Sequence, residues 1–150
     1  AAVVTRRDIA QAFAAETVFF STFGGNPVSV AAALAVLDVI DDERVLERTR
    51  IAGELLRHAI RDVAADYACV GDVRGIGLAN GVEIVVEGST DPDPTRAVGI
   101  KNAMRRHGVL VGSCGRAANV LKVRPPLAFT ADEVPIVAAA LRAALADSAR

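Results

Sequence analysis

Ser21-Thr22-Phe23-Gly24-Gly25-Asn26-Pro27 is the stretch on which the reading of this chain turns. Two hydroxyls precede two glycines that loosen the backbone. Asn26 follows as a good helix N-cap, and Pro27 has the fixed φ that suits a first helical position. A helix therefore starts at Pro27. Its body, residues 28–40, is almost wholly apolar and carries Ala31, Ala32 and Ala33 together, which predicts a helix buried on most sides or packed closely on another backbone. A hydroxyl, exposed N–H groups and the positive end of a helix dipole together suit a phosphate. The same spacing also describes a helix entry loop whose glycines only turn the chain.

Upstream, residues 1–4 are short and apolar enough for a buried strand, and Thr5 is placed to cap a helix over 6–15 with Ile9, Ala10 and Phe13 on one face. Beyond the apolar helix, a second helix is expected from about Asp42, with the acidic run Asp41-Asp42-Glu43 at its start, where negative charge complements the dipole. Val45, Leu46, Thr49, Ala52, Leu55, Leu56, Ala59, Ile60 and Val63 recur at helical spacing and make one apolar stripe. The period then changes. Val70 and Val73, then Leu78, Val82, Ile84 and Val85, read as two short strands joined through Arg74-Gly75-Ile76-Gly77. Residues 87–94 have loop chemistry, and 95–107 a helical period with Ala97, Ile100 and Met104 inward. A strand over 109–111, a turn at Gly112-Ser113-Cys114-Gly115-Arg116 and a strand over 120–123 come next, closed by Pro125 and Pro126. The last helix aligns Val134, Val137, Ala138, Leu141 and Leu145. Thr130 and Glu133 have capping-box spacing, but Pro135 would then cost a helical hydrogen bond, so Asp132 is the expected cap. This order implies an α+β fold, a sheet carrying helices on one face.

The 150 residues are 52% hydrophobic and 23% charged, with 17 basic against 18 acidic side chains. That is the balance of one globular domain, with no long-range field to gather nucleic acid or anionic lipid. A small neutral or zwitterionic ligand is the expected partner. Cys69 and Cys114 lack zinc-site spacing or disulfide density, which points to a reducing, cytoplasmic setting. No apolar run is long enough for a membrane span.

Arg124 stands at the end of a predicted strand, before two prolines that fix the chain's exit. It could grip a carboxylate with two parallel hydrogen bonds, or be a surface arginine beside a proline stop. Gly75, Gly77 and Gly81 imitate a dinucleotide loop, but they lie between strands and open no helix. His58 and His107 have no partners at metal-ligand spacing. Lys101 and Lys122 are the only lysines, and neither lies in the glycine-rich or buried context that favours a nucleophilic amine.

Taken in order, the blocks Ala2-Val3-Val4-Thr5, Thr22-Phe23-Gly24-Gly25-Asn26-Pro27, Gly71-Asp72-Val73-Arg74-Gly75-Ile76-Gly77-Leu78 with Glu83, Gly108-Val109-Leu110-Val111, and Asn119-Val120-Leu121-Lys122-Val123-Arg124-Pro125-Pro126-Leu127 with Thr130 resemble the second half of class III aminotransferases. The last block is similar to the branch of alanine-glyoxylate transaminases and ethanolamine-phosphate phospho-lyases. The resemblance implies the C-terminal small domain of a fold type I transferase dependent on pyridoxal 5'-phosphate (PLP), a small antiparallel sheet with helices on one face, preceded by a remnant of the large domain. Residues 1–25 would end the large PLP-binding domain, 26–41 would form a linking helix, and 42–150 the small domain. It also implies a homodimer acting on an amino donor and a 2-oxo acid. Thr22, with Ser21 beside it, would donate its hydroxyl to the phosphate of PLP held by the neighbouring subunit, and Arg124 would bind the substrate carboxylate.

In the family, the Schiff-base lysine lies shortly before the segment matching 2–5, and the aspartate facing the pyridinium nitrogen lies further upstream. The resemblance therefore assigns this chain no catalytic residue and no metal ligand, and implies that the chain alone is inactive. Two other functions stay open: a PLP-dependent phospho-lyase acting on a phosphorylated amino alcohol, and a non-catalytic α+β dimerisation domain.

Overall fold

The structure, a computed structural model, describes residues 2–148. The chain divides into two compact units, Ala1–Asp38 and Val39–Arg150.

In the first unit, α1 spans Arg7–Glu16 and α2 begins at Pro27, running to Asp42. Thr5 does not cap α1. Arg6 occupies that position without a capping side-chain hydrogen bond, and its guanidinium instead pairs with Asp8 in the first turn of the helix at 2.7 Å. The strand expected over 1–4 is also not found among the described residues: 2–6 are irregular and exposed, and Ala1 lies outside them. A strand exists only through a hydrogen-bonded neighbour, and among the described residues of this unit no strand supplies one. Phe13 and Phe19 pack edge to face with ring centroids 6.4 Å apart. The burial expected for 28–40 is not observed, since α2 has no buried residue and Val28 and Leu34 are exposed.

In the second unit, the chain leaves α2 through Glu43 and Arg44, the latter in the left-handed region at φ 48°, and enters α3 at Val45–Ala64. The acidic run therefore closes α2 rather than opening α3, except for Glu43, which pairs with Arg48 at 2.9 Å. The α3 stripe is narrower than its apolar pattern: Val45, Ala52, Leu56, Ile60 and Val63 are buried, while Leu46 and Leu55 face outward.

Strands β1 (Val70–Ile76) and β2 (Ala79–Ile84) form a hairpin in which Ile76 pairs with Ala79. Arg74, Gly75 and Ile76 are thus strand residues, and the turn is only Gly77-Leu78, with Gly77 at φ 50° supplying the left-handed step. After α4 (Pro94–Arg106), capped by Asp93 accepting from Arg96 N–H at 2.8 Å, the next strand is β3 at Gly112–Cys114 and not 109–111. Register decides this. β3 pairs with β4 (Val120–Val123) through Gly112–Lys122, Ser113–Leu121 and Cys114–Val120, so the residues expected to turn are the ones that pair. The antiparallel sheet has the order β1-β2-β4-β3.

Thr130 is the cap of the last helical segment. Its hydroxyl accepts from Asp132 N–H, and Glu133 accepts from Thr130 N–H at 2.7 Å, which completes a capping box around a 3-10 turn, Ala131–Glu133. Helix α5 (Val134–Ser148) starts only after that turn. Pro135 therefore sits in the first turn of α5, where its missing N–H costs nothing, and the expected role of Asp132 as cap is not needed.

One core joins these pieces. Leu56 and Ile60 of α3, Ile100 and Met104 of α4, and Leu141 and Leu145 of α5 meet Val82, Ile84 and Leu121 of the sheet, all nearly inaccessible to solvent. Each such side chain contributes about 1.5–3 kcal/mol by burial. Val73, Val82 and Leu121 pair across the strands and form one inward row, so the helices cover a single face of the sheet. The backbones of α3 and the hairpin turn approach closely: a Cβ at Gly53 would lie 2.1 Å from the Gly77 carbonyl oxygen.

Two predictions follow from this packing. Gly53→Ala would gain about 1 kcal/mol of helix propensity but push α3 off the hairpin at a cost of about 1–3 kcal/mol; a lowered urea midpoint is expected, and an unchanged or raised midpoint contradicts the packing. The Thr130 hydroxyl and N–H hold the Glu133 carboxyl below its usual value of 4.5. A depressed carboxylate pKa contributes stability that is present above the unfolded value and lost as pH falls through the folded one. Thr130→Val should therefore raise the Glu133 pKa, read by carboxyl NMR titration, and its destabilisation at pH 7 should shrink below pH 4; a pKa unmoved by the substitution contradicts the box.

Candidate functional site

The two segments singled out by sequence fall in different units, residues 21–27 in the first and Arg124 in the second.

In the first, the loop is held by its own side chains. Gly24 N–H donates to Ser21 Oγ at 2.9 Å, and a Cβ at Gly24 would collide with that hydroxyl, 2.7 Å away. Gly25 has φ 71°, the left-handed step that returns the chain toward α2. Asn26 caps the helix: its Oδ1 accepts from Ser29 N–H at 2.9 Å, and its Nδ2 donates to the Phe23 carbonyl at 2.7 Å. These bonds engage the Gly24 and Ser29 N–H groups, two of the backbone donors near the helix start, and Pro27 brings none. The Ser21 oxygen is committed as an acceptor, which leaves its O–H free to donate outward. Thr22 is exposed and bonds to no described residue. The segment thus fits a phosphate through hydroxyl donors placed before a helix N-terminus, and less through a cradle of backbone N–H groups.

In the second unit, β4 carries Arg124 to its exit. Val123 is buried and anchors the end of the strand, Arg124 is exposed, and Pro125 and Pro126 prevent further pairing. The start of β4 is pinned by Asn119, which is 3% exposed and donates to the Ile84 carbonyl at 2.8 Å. The position of Asn119, a polar residue directly before an apolar strand, is the sequence signal for this lock.

On the outward face of the sheet, Arg74 is gripped by Asp72 at 2.7 Å and by Glu83, and these bonds, Asp72 first, raise its pKa above the ordinary arginine value. Arg96 is likewise held by Glu87 and Arg142 by Asp66. Arg124, by contrast, meets no carboxylate among the described residues; Arg7, Arg57, Arg61, Arg105 and Arg116 share that property, although Arg57 donates to Asn80 and Arg61 to the Val73 carbonyl. An open cleft of about 610 Å³ lies beside Asp72, Glu83, Gly71 and Thr90 and does not include Arg124. Lys101 lies on α4 and Lys122 on β4, neither of them buried. Among the described residues no group of side chains could hold a metal ion, and no helix is long and apolar enough to cross a membrane.

Comparison with known proteins bears on this arrangement. The profile of the aminotransferase class-III family matches residues 1–145. The chain is 40% identical over 135 residues to ethanolamine-phosphate phospho-lyase homolog 1 of Caenorhabditis elegans, covering 89% of this chain and 29% of that one. It is 43% identical over 131 residues to an alanine–glyoxylate aminotransferase 2-like protein of Drosophila melanogaster, covering 85% and 26%. Among solved structures, a phospholyase from Arthrobacter in complex with phosphoethanolamine is similar with a TM-score of 0.88 at 38% identity, over 95% of this chain and 34% of that one. A PLP-bound amine transaminase from an uncultivated Pseudomonas species gives 0.82 at 33% identity, over 95% and 34%. The chain thus spans about a quarter to a third of the length of these relatives. The α+β fold is that expected of a fold type I PLP-dependent transferase, and the chain belongs to the class-III aminotransferase family.

Proposed function

We propose that this chain is the C-terminal part of a PLP-dependent class-III aminotransferase, which transfers an amino group from an amino acid or amine to a 2-oxo acid and works as a cytoplasmic homodimer. The observation that carries the reading is the family match across residues 1–145, which includes both the hydroxyl loop and the arginine exit. Residues 1–25 end the large domain, 26–41 link, and 42–150 form the small domain. The break between units at Asp38 and Val39, inside α2, supports the linking role. Cys69 and Cys114 are both free thiols, which supports a reducing compartment.

When bound, PLP supplies the electron sink that makes the substrate Cα–H acidic. This chain's share is binding and orientation. Thr22 donates its hydroxyl to the phosphate of the cofactor seated in the neighbouring subunit, with Ser21 as a second donor. Arg124 presents a planar guanidinium, free of carboxylates among the described residues, that grips the substrate carboxylate by two parallel bonds and so orients the reacting carbon. Moving the Cα proton needs an amine base, and neither Lys101 nor Lys122 stands in a setting that makes one. The 150 residues by themselves are inactive.

A second reading, elimination of phosphate from a phosphorylated amino alcohol, is favoured by the phospho-lyases among the similar proteins. Arg124 would then face a phosphate. A stand-alone dimerisation domain is the third.

The reading is tested in the enzyme that carries this chain as its C-terminal part. Thr22→Ala should weaken PLP binding by about 1.5–3 kcal/mol, measured by equilibrium dialysis of the cofactor. The isolated chain mixed with PLP and borohydride should give no stoichiometric adduct on Lys101 or Lys122. Unchanged cofactor affinity, or a stoichiometric adduct, contradicts the assignment.

A further inference from the structure

Asn119, the residue directly before β4, is held to Ile84 of β2 from both sides. The Ile84 N–H donates to the Asn119 carbonyl at 2.9 Å, and the Asn119 side-chain amide donates to the Ile84 carbonyl at 2.8 Å. The amide also faces Glu83 Oε1 at 3.5 Å. Two residues in a hydrogen-bonded antiparallel pair exchange backbone bonds. Here a side chain, almost inaccessible to solvent, takes the place of one of those backbone donors and ends the ladder.

A slip of β4 against β2 by two residues would keep every side chain on its own face and preserve the alternation of hydrogen-bonded pairs. The exchange of faces that forbids a one-residue slip therefore does not oppose it. β3 pairs with β4 and not with β2, so it would travel with β4. In one direction Asn119 would come opposite Val82 in the core, where an unpaired amide is costly. In the other, Val123 would come opposite Val82 and Leu121 opposite Ile84, both pairs apolar, and Lys122 would come opposite Glu83 on the outward face. Arg124 would then stand opposite Gly81, drawn back by about 6.8 Å from where it now leaves the sheet.

We propose that Asn119 is a positioning residue for Arg124: its bonds to Ile84 select the observed register over the one two residues away, and so fix where the guanidinium leaves the sheet. After the slip Asn119 would face Val86, whose N–H already donates to the Asp91 carbonyl and whose carbonyl already accepts from Ser89 N–H, so the lock cannot form again there. Val120 acts in the same direction, since its Cγ1 lies 3.1 Å from where a Cβ at Gly81 would be and fills the space that this glycine leaves. The inference rests on the reading of Arg124 as the substrate-anion residue, and it deepens that reading by naming what sets its place.

The test uses the full 150-residue chain and its assigned NMR spectrum. Pairs that share no hydrogen bond bring their Hα protons closest, so the observed register gives Hα contacts Gly81–Lys122 and Glu83–Val120, and the slipped one Gly81–Arg124 and Glu83–Lys122. Asn119→Asp, which keeps the size and removes the donor, and Asn119→Ala should each add a second set of signals with the slipped contacts, at about a tenth of the total, and double the Arg124 signals. Asn119→Ser, which restores one donor, should shrink that set, and so should Lys122→Met in the Asn119→Ala chain. Observed-register contacts alone in the Asp and Ala variants, or loss of the fold in all three Asn119 variants without slipped contacts, overturns the inference. Either result leaves the role of Arg124 standing; that role fails separately if Arg124→Gln in the enzyme that carries this chain leaves the substrate KM unchanged.

Discussion

The antiparallel pairing of β4 against β2 is the constraint from which the functional geometry of the second unit descends. Val82 faces Leu121 and Asn80 faces Val123, so the inward residues of both strands meet α3, α4 and α5, and the alternate residues face outward. A slip of one residue would exchange the two faces, exposing Leu121 and Val123 and burying Lys122. Two apolar side chains drawn into water and an ammonium drawn out of it make that slip prohibitive. Asn119 adds a directional lock at the strand's start by bonding the Ile84 carbonyl. The position at which Arg124 leaves the sheet is thus a consequence of core packing several residues away.

How much of this was legible in the sequence differs element by element, for physical reasons. The strand over 120–123 and the helices that carry Leu56, Ile100 and Leu141 could be read, because each has one buried face and a period that shows it. β3 could not: Gly112, Ser113 and Cys114 have little strand propensity, and they pair because β4 needs an edge neighbour, while the more apolar 109–111 remain outside the ladder. Arg74 and Gly75 read as a connection because glycine signals a turn, yet the hairpin closes at Gly77-Leu78. The apparent conflict between Thr130 and Pro135 vanished once a 3-10 turn intervened, a device that leaves no periodic trace.

The candidate site shows the same division. Asn26 as cap and Pro27 as first helical residue were legible from residue type alone. That Ser21 spends its oxygen on Gly24 N–H was not, because spacing gives the reach of a side chain and not its choice of partner. This distinction matters chemically. With the Gly24 and Ser29 N–H groups engaged internally, the proposed phosphate contact would rest on hydroxyl protons, chiefly that of Thr22, as a charge-assisted bond of the stronger kind. Arg124 was legible as a terminus but not as a cation left without an internal partner, since the pairing of Arg74 with Asp72 and Glu83 depends on strand register.

The central proposal is that the Thr22 hydroxyl binds the phosphate of a cofactor seated in another subunit and that the Arg124 guanidinium binds the substrate's anion. A crystal structure of the PLP-bound dimer of the protein carrying this chain, soaked with a substrate-like anion, tests it most directly. The account predicts Thr22 Oγ1 at about 2.7 Å from a phosphate oxygen of the cofactor seated in the other subunit, with Arg124 contacting the anion. Thr22 turned away from the phosphate, or Arg124 on a surface remote from the anion, would contradict it.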